Sequence, residues 1–168
     1  MTILIIKNLF QIGMTPLILA ASANKIDVVH LLIDKGADVD AQNNEGHSAL
    51  QYAASKGWKQ VIEMLLKNGA NVNIMDKRKA TPLHRAASKG DITIVSLLLN
   101  QGPVLKINEA DAYGNTPLHL ACEEKNVPVA KLLIENGASV SVKNKEEKTP
   151  LDLATPEIKR ILAYTSEE

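Results

Sequence analysis

Residues 80–90 read ATPLHRAASKG and residues 115–125 read NTPLHLACEEK. Both open on Thr-Pro-Leu-His and run on into a small, alanine-bearing stretch. Threonine before proline is a helix start. Its hydroxyl accepts from the free N–H groups of the first turn, and proline at the first helical position lacks the N–H that would be orphaned there. The spacing of Leu83, Ala86 and Ala87 predicts a short helix with small residues on its packing face.

The same step recurs along the chain at Thr15-Pro16, Thr81-Pro82, Thr116-Pro117 and Thr149-Pro150, with Ser48-Ala49 as a degenerate copy. The intervals are 33 residues (15 to 48), 33 (48 to 81), 35 (81 to 116) and 33 (116 to 149). A second marker keeps the same period: DKGADVD at 34–40, KNGANVN at 67–73 and ENGASVS at 135–141. NQGPVLKIN at 100–108 is that element lengthened, and it holds the two inserted residues. Between the markers lie aliphatic residues at helical spacing, for example Val61, Ile62, Leu65 and Leu66, which predict a second helix per unit. Gly36, Gly69, Gly102 and Gly137 fall where left-handed C-caps are expected. NNEG, DKRK, DAYG and NKEE then read as the turns of hairpin-like fingers. One such unit cannot bury its apolar face alone, so the units must stack.

The Thr-Pro-Leu-His-x-Ala pattern and the period of 33 resemble the ankyrin repeat over residues 13–162. The resemblance implies an all-α solenoid of five stacked helix-turn-helix repeats with β-hairpin-like fingers. The repeats are expected at about 13–45, 46–78, 79–113, 114–146 and 147–164, within a domain over 13–168. In the last one, Thr155-Pro156 starts a shortened second helix expected to end near Tyr164. Within residues 1–12, Ile3, Leu4, Ile5, Ile6, Leu9, Phe10 and Ile12 are apolar, and the segment is expected either to cap the first repeat or to be the scar of a truncated array; an exposed association patch is the rival reading.

Lys plus Arg and Asp plus Glu balance at 19 each, so there is no overall positive field to draw nucleic acid. A single cysteine, Cys122, excludes an internal disulfide and a Cys-rich zinc site, which points to a cytoplasmic or nuclear setting. Only four consecutive apolar residues precede Lys7, far short of the roughly 18–20 a membrane span needs. There is no phosphate loop, no Gly-x-Ser-x-Gly elbow and no His-Glu-x-x-His, and the four histidines are scattered. The sequence therefore implies no enzyme activity, cofactor, metal, small-molecule substrate or membrane partner. His84 and His119 belong to the repeat motif and read as structural hydrogen-bonding groups.

The family resemblance also implies where a protein partner would dock: on the concave surface of finger tips and first helices. Mapped onto this chain, the partner-binding residues are Glu45, His47, Lys56, Trp58, Lys77, Arg78, Lys89, Tyr113, Asn115, Glu123, Glu124, Lys145 and Lys148. Lys56, Lys77, Arg78, Lys79 and Lys89 form a basic patch, with Glu123 and Glu124 one repeat later. That pattern suits a partner with acidic and basic patches side by side. Trp58 and Tyr113 are the candidate hot spots, with packing against the adjacent helix as the alternative for Trp58. A surface of this length suffices for an interface of ~1,600 Å². Leu120-Ala121-Cys122-Glu123-Glu124 has the form of a Leu-x-Cys-x-Glu partner motif, but Leu120 and Cys122 are read as core.

Certain stretches resemble the proteasome-associated members of the family: YAASKG (52–57), HRAASKG (84–90), GNTPLHLACEE (114–124), AKLLIENGAS (130–139) and NKEEKTPL (144–151). That resemblance implies a chaperone gripping an ATPase subunit of the proteasome regulatory particle. The alternatives are a generic ankyrin adaptor with an unrelated protein partner and a non-catalytic piece of a larger multidomain protein.

Overall fold

Each Thr-Pro step opens a helix, and each helix is followed by a second that folds back on it. The computed structural model describes residues 12–165, with side chains to residue 160; the apolar segment up to Gln11 lies outside the described residues. The first pair is α1 (Pro16–Ser22) and α2 (Ile26–Asp34), the second α3 (Ala49–Lys56) and α4 (Lys59–Lys67). Then come α5 (Pro82–Lys89) with α6 (Ile92–Leu99), α7 (Pro117–Glu123) with α8 (Val127–Glu135), and α9 (Pro150–Leu153) with α10 (Pro156–Thr165). The long interval between the third and fourth starts is taken up by a 3₁₀ turn at Gly102–Val104.

The caps form as their chemistry requires. Thr15, Ser48, Thr81 and Thr149 accept through their hydroxyls from the N–H three residues on, at 3.2 to 3.5 Å. Gly36, Gly69 and Gly137 close second helices at φ +82°, +85° and +86°.

First helices stack on first helices (α1, α3, α5, α7, α9) and second helices on second helices. The first-helix row meets through buried small pairs: Ala20 and Ala21, Ala53 and Ala54, Ala86 and Ala87, Ala121 and Cys122. The second row buries larger groups, among them Ile62, Leu65, Ile94, Leu98 and Leu133. Small residues let neighbouring first helices pack closely along their row. Each fully buried aliphatic side chain contributes about 1.5–3 kcal/mol to that stack.

The fingers differ from hairpins. Among the described residues there is no strand, and the one bridge is Gln42 with Ser48. What closes each finger is an Asn or Asp carbonyl or carboxylate oxygen accepting two backbone N–H groups. Asn43 Oδ1 accepts from Glu45 and His47, and Asp76 Oδ1 from Arg78 and Ala80. Asp111 Oδ1 accepts from Tyr113 and Asn115, and Asn144 Oδ1 from Glu146 and Lys148. Such side-chain turns replace a ladder in a segment too short to build one. Each finger then leans on the previous one. Asn44 N–H donates to Ile12 O, Lys77 to Glu45, Ala112 to Arg78 and Lys145 to Tyr113, all at 2.7–3.0 Å. The finger tips are thereby fixed as one edge of the molecule.

Candidate functional site

Within the first helices, the residue after the motif histidine position faces neither core nor open solvent. It is Leu19, Tyr52, Arg85, Leu120 and Leu153 in turn, and all five are half-buried. The middle of this row, Tyr52, Arg85 and Leu120, and the fingers bound a groove with two adjoining hollows. The larger, of about 350 Å³, is lined by Arg78 and Tyr113 from fingers, by Arg85, Ser88 and Lys89 of α5, and by Ser55, Ala80, His84, Asp111 and Leu120. The smaller, of about 180 Å³, is lined by His47, Gln51, Tyr52, Ser55 and Arg85. Ser55 and Arg85 belong to both and form the divide.

Arg85 is held in place from behind. Its Nη2 donates to Asp76 Oδ2 and lies 3.2 Å from His47 Nε2. Asp76 is buried; its other oxygen is occupied by two finger N–H groups, so the carboxylate cannot turn away. His47 sits 3.4 Å from the same carboxylate and meets Tyr52 edge-on, ring centroids 5.6 Å apart. Burial first, and then the Arg85 charge, hold the His47 imidazole below its ordinary pKa, which suits a neutral ring accepting from the guanidinium. A buried carboxylate, an arginine and a histidine thus form one cluster that fixes the groove's central cation.

The expected partner residues divide by placement. Arg78, Lys89 and Tyr113 line the larger hollow and His47 the smaller. Tyr113 is 59% exposed. Glu45 and Lys77 are exposed on finger tips, Lys56 at the end of α3, Glu123 and Glu124 at the end of α7. Lys145 and Lys148 are exposed on the last finger, where Lys148 Nζ pairs with Glu146 at 2.8 Å. Two are committed to the scaffold. Trp58 is half-buried against the core, and its indole N–H donates to Ser22 O at 3.3 Å, tying the second pair to the first. Asn115 is half-buried too, its carbonyl facing His84 Nε2 at 2.9 Å and its Oδ1 accepting from Asn144 at 2.8 Å. Trp58 is therefore a clasp between helix pairs rather than an exposed hot spot.

Among the described residues, Lys56, Lys77, Arg78, Lys79 and Lys89 take part in no ion pair. Lysines on the second helices, such as Lys59 and Lys131, do pair with glutamates four residues on. Arg78 and Lys89 thus line the larger hollow with positive charge that no ion pair among the described residues neutralises.

Arg85 and Asp76 were not among the expected residues. Arg85 is the charged member of an otherwise aliphatic and aromatic row, and that irregularity is its sequence signal. Leu120 lies in the groove, not in the core where the Leu-x-Cys-x-Glu reading put it. Cys122 is buried, and burial pushes its thiol up to about 11, so it remains an unreactive thiol.

The geometry so far defines a class: a stacked-helix scaffold with a side groove suited to holding another chain. Matches to a family model described as ankyrin repeats (3 copies) cover residues 2–76, 68–144 and 107–163, and the chain belongs to the ankyrin-repeat family. Proteins of this family are generally protein-binding modules and typically non-catalytic. No curated protein matches the chain. Among the described residues no helix is long and apolar enough to cross a membrane.

Proposed function

We propose that this protein is an interaction scaffold that grips a protein partner in the groove between its fingers and first helices. The observation that carries the reading is the half-buried trio Tyr52, Arg85 and Leu120, beside Arg78 and Lys89, which form no ion pair among the described residues. Half-exposed apolar and aromatic groups beside unpaired charge are what a partner's surface can desolvate and complement. The test is affinity purification with mass spectrometry, using the wild type, Tyr52→Glu/Leu120→Glu in the groove, and Leu31→Glu on the far side. Partners lost only with the groove variant support the reading; partners lost only with Leu31→Glu sink it.

The finer version is a gankyrin-like role in proteasome assembly. It is supported by the stretches HRAASKG, GNTPLHLACEE and NKEEKTPL, which resemble gankyrin, a chaperone whose concave face binds an ATPase subunit of the regulatory particle. Arg78, Lys89, Glu123 and Glu124 would supply the charged contacts. Recovery of a proteasomal ATPase, lost on Lys77→Glu/Arg78→Glu/Lys89→Glu, is the expected result. Its repeated absence beside other specific partners would leave the generic adaptor.

A further inference from the structure

We propose that the larger hollow is a carboxylate-binding subsite: it receives a glutamate or aspartate side chain from an acidic, extended segment of the partner. This rests on the groove reading above and assigns a chemistry to it.

Three cations reach the hollow from separate places. Arg78 comes from the third finger, Arg85 from the middle of α5 and Lys89 from its last turn. Among the described residues, Arg78 and Lys89 form no ion pair. Arg85 uses Nη2 on Asp76 and His47, and a guanidinium carries further N–H donors in a planar fork that matches a carboxylate. The Ser88 and Tyr113 hydroxyls line the same space. The Ser55 hydroxyl donates to Tyr52 O at 2.9 Å, and its oxygen remains able to accept.

The charge balance selects the anion. Asp76 stands behind Arg85, and Asp111 lines the wall with Oδ1 engaged by two backbone N–H groups. Three cations against two carboxylates leave one positive charge unmatched. A singly charged carboxylate neutralises it; a doubly charged phosphate would add repulsion from Asp111. A hollow of about 350 Å³ holds a side chain or two rather than a large ligand. Beyond the Arg85 divide, the smaller hollow continues past Tyr52 and His47, so a chain seated at Arg85 has a path onward.

The experiment is fluorescence anisotropy with fluorescein-labelled hexaglutamate as the probe and hexaglutamine as its uncharged counterpart. Arg78→Gln/Lys89→Gln is compared with Lys35→Gln/Lys67→Gln, which removes the same charge at the ends of the second helices α2 and α4. Both pairs are exposed, and circular dichroism checks that each variant folds. Hexaglutamate should bind, weaken between about 20 and about 200 mM NaCl, and lose about tenfold or more in the groove variant against about twofold or less in the other. Equal losses in the two variants, or equal binding of hexaglutamine, would overturn the subsite. So would a phosphoserine hexapeptide that binds far tighter than hexaglutamate. Repeating the affinity purification with Arg78→Gln/Lys89→Gln separates the two levels. A partner lost with Tyr52→Glu/Leu120→Glu but kept here upholds the groove and overturns the carboxylate site; loss with both supports both.

Discussion

Lys79 and Lys125 stand in a backbone conformation that other helix pairs give to glycine. Lys79 has φ +58° where the second and fourth fingers have Gly46 and Gly114, both at +79°. Lys125 has φ +57° at the turn where Gly57 and Gly90 adopt +76°. A side chain in the left-handed region costs about 1–2 kcal/mol, partly offset by the greater freedom glycine loses on folding. Lys79→Gly and Lys125→Gly should therefore each raise unfolding stability by about 0.5–1 kcal/mol in a urea titration. The reverse change is severe at Gly46, where a Cβ would stand 2.8 Å from the Lys77 nitrogen of the next finger. That neighbour is backbone and cannot step aside, so Gly46→Ala should cost about 2 kcal/mol or more. Arg85 carries the other residue-scale prediction. Arg85→Met leaves the buried Asp76 carboxylate with its finger N–H groups but no cation, and should cost about 2 kcal/mol. Weaker groove binding in that variant would accompany the lost stability; an unchanged urea midpoint would show that Asp76 does not depend on Arg85.

At the scale of the element, the motif histidines join one helix pair to the next. His84 Nδ1 accepts from Thr81, N–H at 3.1 Å and hydroxyl at 2.9 Å, so Nε2 carries the proton and donates to Asn115 O. His119 repeats this with Thr116 and Lys148 O. Burial holds both rings below the ordinary histidine pKa. Unfolded histidines take up protons near pH 6.5 while these resist, so stability is full above that pH and falls as the pH drops toward the folded values. The melting temperature should fall between about pH 7 and about pH 5. The second pair shows how to remove the effect. Gln51 occupies the same position, accepting from Ser48 N–H at 3.0 Å and donating to Ala80 O at 2.7 Å without a titratable ring. His84→Gln/His119→Gln should keep the fold and flatten the acid slope, leaving the part due to His47; an unaltered slope would place the acid sensitivity elsewhere. These elements were legible because their chemistry is local: a threonine before proline, a glycine after a helix, a period that repeats them. The groove was legible only in part. Arg78, Lys89 and Tyr113 follow from the repeat, but Arg85 depends on Asp76, nine residues earlier in sequence and brought against it by the finger fold. Trp58 stayed open between hot spot and packing for the same kind of reason. Nothing near position 58 says that a carbonyl at Ser22 will be within reach of its indole.

Across the whole molecule, stability is a sum over neighbouring pairs, and the neighbours are not joined equally. Between the second and third pairs run the Gln51 bond to Ala80, the Lys77 bond to Glu45, the Gln42 bond to Met75 O at 2.7 Å and the Asp76–Arg85–His47 cluster. Between the third and fourth run the His84 bond and the Asn126 amide to Ala87 O at 3.1 Å. The first pair has Ile18 where the next three have Gln51, His84 and His119, so the motif's polar tie is missing there and the Trp58 indole bond serves instead. The last first-helix, α9, is a single turn of four residues. Opening should therefore begin at the two ends and reach the centre last. Native-state hydrogen exchange should find α1, α2, α9 and α10 exchanging through partial openings, with α3, α5 and α7 protected up to the global unfolding free energy. Uniform protection across the ten described helices would contradict this. The groove lies on the second to fourth pairs, so its side chains are carried by the part of the stack that opens last. A partner binding there meets a surface already in place and loses less entropy in ordering it. Ile18→His, which gives the first pair a ring to bond across its interface, should slow exchange in α1 while leaving the groove's affinity unchanged.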